Sequence, residues 1–304
     1  MKIFVTGVGG QLGRDVMNEL AKRGIDAVGS DIAPSFSGID DGSAVTKMPY
    51  RQLDITDEEA VGSALEEIHP DAVIHCAAWT AVDAAEDEEN IPKVMAINEG
   101  GTKHLAKAAA SLHAKFMYIS TDYVFDGQGE QPWQPDCKDY APLNVYGKSK
   151  LAGEKAVTEA LENFFIVRIA WVFGQNGNNF IKTMLKVGKS HDEVRVVNDQ
   201  IGTPTYTLDL ARLLVDMIQT EKYGYYHATN EGGYISWYDF TCEIYRQAGL
   251  QTKVTPVTTA EYGLSKAARP FNSRLDRSKL VSEGFEPLPD WKDALSRYLQ
   301  LLEK

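Results

Sequence analysis

The chain has 304 residues, 43% of them apolar, enough to bury a sizeable core in two lobes or one large α/β domain. Its formal charge of -12, with no basic run, argues against a nucleic-acid or anionic-membrane surface, so an anionic ligand must be met by local positive groups. Cys76, Cys137 and Cys242 are far apart and His75, His104 and His113 lack ligand spacing. Neither a disulfide framework nor a metal site is suggested, and the absence of a signal segment or a long apolar run points to a soluble cytoplasmic protein.

Residues 3–6 form a short apolar run that ends in Gly7-Val8-Gly9-Gly10-Gln11-Leu12-Gly13, and residues 12–22 carry helical periodicity. This predicts strand, glycine turn and helix. Further strands are expected at 27–32, 51–55, 71–76, 115–120 and 164–171, with a helix over 98–111. Strands alternating with helices imply an α/β, Rossmann-type doubly wound parallel sheet. After Gly174 the polar loops 175–179 and 199–205 separate shorter helices, one late strand at 225–229 and a terminal helix at 291–302. The expected division is a dinucleotide-binding domain over 1–172, with 206–230 returning to it, and a smaller C-terminal substrate lobe over 173–304.

Glycines at 7, 10 and 13, with Gln11 and Leu12 between them, give a turn that approaches a pyrophosphate closely and aims free helix N–H groups at it. A lone glycine triplet is weak, but here a strand precedes it and a helix follows, as the motif requires. Asp31 closes the second strand, where an acid would bond an adenosine ribose 2'-hydroxyl and favour NADH. Arg14 would instead meet a 2'-phosphate, so the two residues disagree. Asp54 and Ile55 border the adenine in this reading, although Asp54 would also serve as a helix cap.

Tyr146 and Lys150 stand four apart, on one face of a helix. An isolated pair of this kind is usually a solvated surface. Lowering a tyrosine pKa from about 10 toward 7 needs roughly 4 kcal/mol. One ammonium at about 4 Å supplies an interaction of that order, so Lys150 is expected to tune Tyr146 as a general acid. Thr121 follows the fifth strand and would bond the substrate carbonyl or the phenol; by itself it would be read as a turn residue.

Ala77 and Ala78 after the fourth strand would border the nicotinamide. Trp171 after the sixth is a candidate to stack on a sugar face, with a core role as its rival. Arg269 is a candidate pyrophosphate clamp through its guanidinium. Asn178 and Asn179 are candidates for the nucleotide end.

The stretches 7–13, 120–127 and 146–154 resemble extended short-chain dehydrogenase/reductases. Taken with Trp171-Val172-Phe173-Gly174, Asp199-Gln200-Ile201-Gly202-Thr203-Pro204-Thr205 and Arg269-Pro270-Phe271-Asn272-Ser273, they resemble the dTDP-4-dehydrorhamnose reductase family along nearly the whole chain. The resemblance implies reduction of the 4-keto group of dTDP-4-dehydro-β-L-rhamnose with hydride from NADPH, or NADH in some members. In that scheme Tyr146 is the proton donor, Lys150 lowers its pKa and holds the nicotinamide ribose, and Thr121 orients the carbonyl. Thr80, Val82 and Tyr123 join the substrate pocket on the same ground. Some relatives are homodimers. The rival readings are an epimerase or dehydratase of the same superfamily and a non-catalytic regulatory subunit. A dehydratase of this superfamily usually carries glutamate where Tyr123 stands, and a regulatory subunit need not keep Thr121, Tyr146 and Lys150 together.

Overall fold

The structure, a computed structural model, describes residues 1–303. Its centre is a seven-stranded parallel sheet. The first six strands in chain order are Lys2–Thr6 (β1), Asp26–Asp31 (β2), Tyr50–Gln52 (β3), Ala72–His75 (β4), Lys115–Thr121 (β5) and Phe164–Ile169 (β6). Gly224–His227 is the seventh. Spatially the order runs Gly224–His227, β6, β5, β4, β1, β2, β3. From β1 the chain winds one way through β2 and β3, then the other way from β4, which leaves a crevice at the carboxyl ends of β1 and β4.

Helices cover both faces, which is why β1, β4, β5 and β6 read as nearly continuous apolar runs. Gln11–Lys22 (α1) and the Thr207–Ile218 helix bury Val16, Leu20, Leu210 and Leu214 on one face. Glu58–Ile68 (α2), Thr102–Ser111 and Val145–Ala160 bury Leu65, Leu105 and Val157 on the other. A third cluster, around Phe173, Ile181, Phe240, Trp291 and Tyr298, forms the core of the C-terminal lobe.

Several element ends differ from the sequence expectation for physical reasons. β3 ends at Gln52, one last ladder bond running from Leu53 N–H to Asp31 O before the Asp54 carboxylate accepts from Thr56 N–H at 2.9 Å and turns the chain. Asp57, not Asp54, caps α2, accepting from Ala60 N–H at 3.0 Å. β6 ends at Ile169, two residues before Trp171, whose φ of 51° breaks the extended backbone. The expected helix at 98–111 begins earlier, at Ile91, and passes through a wide π-type turn over Ala96–Gly101 before Thr102–Ser111. A parallel pair in the second lobe, Glu193–Val197 with Lys253–Val257, lies where only shorter helices and loops were expected. Its alternating Glu193-Val194-Arg195-Val196 is a strand signal. No helix among the described residues is long and apolar enough to cross a membrane.

Candidate active site

A cleft of about 900 Å³ opens along the carboxyl ends of the strands. The end at the glycine turn is built mostly from backbone. Gly10 N–H donates to Gly7 O at 3.0 Å, closing the turn. Gly7 has a φ of 72°, and a Cβ there would stand 2.6 Å from Ala77 N, so only glycine lets the turn pass the loop after β4. A Cβ on Gly13 would collide with Gly7 O, so that glycine sets how closely α1 meets the turn.

No side chain caps α1, so the first-turn N–H groups of Gln11, Leu12 and Gly13 face the cleft. Those open donors, in a cradle that a Cβ would fill, fit a dinucleotide pyrophosphate. Asp31 accepts from Gly9 N–H at 2.8 Å and lines the same end with Ser37, Asp54, Ile55 and Thr56. Asn176, buried in the polar loop of the second lobe, ties that end together. Its amide donates to Gly9 O at 3.0 Å and accepts from Ile39 N–H at 2.9 Å. Sequence reading saw only a polar loop there.

The other end is made of side chains from distant segments. Asn144 caps the Val145–Ala160 helix through Gly147 N–H at 2.8 Å, placing Tyr146 in its first turn and Lys150 one turn on. Lys150 Nζ donates to Ile119 O at 2.7 Å and lies 4.0 Å from the Tyr118 ring centroid. Burial pushes the Lys150 ammonium down to about 7, against the opposing pull of Glu154. Tyr146 differs from the sequence expectation. Burial first, and the nearby Asp122 carboxylate second, raise its pKa above the usual tyrosine range, while a hydrogen bond with Thr121 opposes them. Lys150 points its charge at the β5 backbone, so the phenol keeps its proton firmly.

Thr121 Oγ1 is 3.0 Å from Asp122 Oδ1 and accepts from Tyr123 N–H at 3.2 Å. The other Asp122 oxygen accepts from Ser273 Oγ of the C-terminal segment. Burial pushes the Asp122 carboxyl up to about 6, with the Ser273 and Thr121 hydrogen bonds opposing. Neither Asp122 nor Ser273 was singled out from sequence, because 151 positions separate them. Tyr123 packs edge-on against Tyr146, with ring centroids 5.6 Å apart.

Ala77, Ala78, Thr80, Val82, Thr121, Tyr123, Tyr146, Lys150, Trp171 and Asn178 all border the cleft, as do Gly7, Gly10, Gln11, Leu12, Gly13, Asp31, Asp54 and Ile55. Lys93 also lines it and was missed. Three expected residues are placed elsewhere. Arg14 is buried, with its guanidinium held by Asp15 at 3.1 Å and Asp41 at 2.5 Å, and it does not line the cleft. Asn179 caps the Phe180–Gly188 helix and donates to Gly174 O and Tyr298 Oη, so it faces the protein. Arg269 makes a two-pronged bond to Asp83, at 3.0 and 2.7 Å, so its charge is already met across the cleft rim.

Asn98, in the π-type turn, bonds both the N–H and the carbonyl of Trp79 and donates to Ser149 Oγ at 2.9 Å, fixing the loop after β4 to the Val145–Ala160 helix. His75 bridges Thr6 and Thr102 and is structural. Among the described residues, no cluster of three or more His, Cys, Asp or Glu is arranged to hold a metal ion.

The family model described as "RmlD substrate binding domain" matches residues 1–304. The chain is 40% identical to a dTDP-4-dehydrorhamnose reductase of Streptomyces griseus, over 96% of this chain and 91% of that protein. It superposes on the crystal structure of a dTDP-4-dehydrorhamnose reductase from Clostridium acetobutylicum with a TM-score of 0.90, at 41% identity and full coverage of both chains. A Bacillus anthracis enzyme of the same name, solved in complex with NADP, gives a TM-score of 0.86 at 37% identity, over 100% of this chain and 99% of that one. With a full-length model match and relatives of this similarity, the chain belongs to the dTDP-4-dehydrorhamnose reductase family of extended short-chain dehydrogenase/reductases.

Proposed function

We propose that this chain catalyses the NADPH-dependent reduction of the 4-keto group of dTDP-4-dehydro-β-L-rhamnose to dTDP-β-L-rhamnose, for deoxysugar and surface-polysaccharide synthesis. The observation that carries this reading is the meeting of Thr121, Tyr146 and Lys150 in one cleft with an uncapped glycine turn. Gln11, Leu12 and Gly13 would hold the pyrophosphate and Lys150 the nicotinamide ribose, while Asp31 borders the adenosine ribose, where its charge opposes a 2'-phosphate. When bound, the reduced nicotinamide supplies the hydride to carbon 4.

Tyr146 delivers the proton to the alkoxide that forms there. Its raised pKa suits this direction, since the phenol stays protonated until a much stronger base, the alkoxide, appears beside it. Thr121 meets the carbonyl oxygen by turning its hydroxyl from Asp122, and the Asp122–Ser273 bond returns it. Thr80, Val82, Tyr123, Trp171 and Asn178 shape the sugar and nucleotide end. Lys93 is the cation there for the substrate diphosphate in place of Arg269.

The proposal includes a cytoplasmic, homodimeric enzyme acting on a water-soluble nucleotide sugar, which light scattering of the purified protein and cell fractionation check. The reaction itself is tested by following NADPH absorbance with dTDP-4-dehydrorhamnose. One NADPH is consumed per product formed; conversion without net consumption would assign an epimerase or dehydratase instead. Repeating the assay with NADH compares the two cofactors.

A further inference from the structure

Among the described residues, three that are not glycine have positive φ: His69, His113 and Trp171. The first two close helix ends, where that conformation is common. Trp171 closes no helix. It stands between β6 and the short strand Val172–Phe173, and it lines the cleft. Strained backbone of this kind persists where the surroundings over-determine it, commonly at a ligand clamp.

The surroundings here come from the second lobe. Thr205 Oγ1 donates to Ala170 O at 2.6 Å, and Thr205 N–H donates to Trp171 O at 3.1 Å, so the strained turn is pinned on both sides. The Trp171 indole stacks on Trp237, with centroids 3.7 Å apart and planes within 15°, and Trp237 is backed by Phe180 at 4.4 Å. Gly202 faces the same indole. A Cβ added there would come within 2.8 Å of Cε2 and 3.0 Å of Nε1 of Trp171. Gly202 does not have a positive φ, so its need for glycine is one of space, not of backbone freedom.

Neither Gly202 nor Trp237 borders the cleft, and each touches the wall residue that does. The ribbon that carries Gly202 is itself fixed: Ile201 N–H donates to Phe271 O, and Ser273 N–H donates to Ile201 O, both at 2.8 Å. Ser273 in turn bonds Asp122 beside Thr121. The Asp199–Thr205 stretch, which the reaction chemistry leaves without a task, thus touches both walls of the sugar site.

We propose that Gly202 and Trp237 are positioning residues that set the tilt of the Trp171 indole, so that it presents a flat apolar wall to the deoxyhexose ring of the substrate. This rests on the reading given under Proposed function. It makes this part of the second lobe a reader of sugar shape.

The test uses the full chain carrying Gly202→Ala, Trp237→Phe or Trp171→Phe, and the double variant Gly202→Ala/Trp171→Phe. Gly202→Ala is expected to raise KM for dTDP-4-dehydrorhamnose roughly three- to tenfold, the scale of one lost aromatic stacking contact. It should leave kcat and the fluorescence-measured NADPH affinity near wild type, and weaken the near-ultraviolet circular-dichroism signal of the stacked indole pair. Because the added Cβ meets Trp171 Cε2 and Nε1 more closely than Ser273 Cβ at 3.1 Å, most of the damage passes through Trp171, and the double variant should come close to Trp171→Phe alone. Trp237→Phe, which keeps an aromatic ring in the stack, should change KM less than Gly202→Ala.

An unchanged KM and dichroism signal in Gly202→Ala, or a parallel loss of NADPH affinity, overturns the inference while the reductase reading stands. If Gly202→Ala does not fold, a Trp237→Ala protein with wild-type KM for dTDP-4-dehydrorhamnose overturns it instead. Wild-type protein that fails to oxidise NADPH overturns the reductase reading. In that event, a dichroism signal that survives Gly202→Ala overturns the positioning role as well.

Discussion

The two ends of the cleft are built on different principles. The end at the glycine turn is largely backbone: one turn, the glycines at 7, 10 and 13 and the open start of α1, all within residues 7–13. The sugar end is side chain against side chain, with Thr121, Tyr146, Trp171 and Ser273 brought in from four separate segments and locked by Asp122, Asn144 and Thr205. A backbone site tolerates changes in outward-facing side chains but no added Cβ at Gly7 or Gly13. A side-chain site can lose its chemistry while still binding cofactor.

That contrast is sharpest at Tyr146. Tyr146→Phe should lower turnover by roughly 10² to 10⁴, the range for losing a general acid, with NADPH binding intact in a fluorescence titration. Weakened NADPH binding in that variant would mean the two ends are not separable. Gly7→Ala is the converse experiment. Its strained φ alone costs about 1–3 kcal/mol, and the clash with Ala77 adds to that. NADPH affinity should fall by on the order of 10²-fold, and isothermal titration reads it directly.

Asp122→Asn probes the lock on the sugar end through pH. Below about pH 4 the Asp122 carboxyl is protonated whether folded or unfolded. Between its ordinary value of 3.8 and its folded value of about 6, only the folded chain holds the proton, so this group's contribution to stability falls as pH rises. The wild-type advantage over Asp122→Asn should therefore shrink by up to about 3 kcal/mol between pH 4 and 7 in urea unfolding. A pH-independent difference would show that the carboxyl titrates normally. The smallest effect is expected at Asp31. Removing its charge in Asp31→Ala should shift the ratio of catalytic efficiencies toward NADPH by roughly tenfold, as one screened charge would, because Arg14 is engaged elsewhere and no longer competes.

The same contrast explains what could be read from the sequence. Glycines at 7, 10 and 13 and the four-residue spacing of Tyr146 and Lys150 are local signals, and local geometry turns them directly into a turn and a helix face. Arg14, Asn179 and Arg269 were open to misassignment because their partners, Asp41, Tyr298 and Asp83, lie 27, 119 and 186 positions away. A charged or amide side chain has no fixed role until the group that satisfies it is known. The tilt of Tyr146's proton equilibrium was misjudged for a related reason. Helical spacing places Lys150 near it, but the β5 carbonyl of Ile119, which claims the ammonium, comes from a different element. The positive φ of Trp171 had no local signal at all, since it is imposed by Thr205 and Trp237 from the other lobe.

The most direct test of the site as a ketone reductase is a stoichiometric assay at the substrate carbonyl. Purified protein is mixed with dTDP-4-dehydrorhamnose and NADPH carrying deuterium at the transferable position, and the product is weighed by mass spectrometry. One deuterium on carbon 4 for each NADPH oxidised is the predicted result. Product without deuterium, or turnover without loss of NADPH, would contradict it.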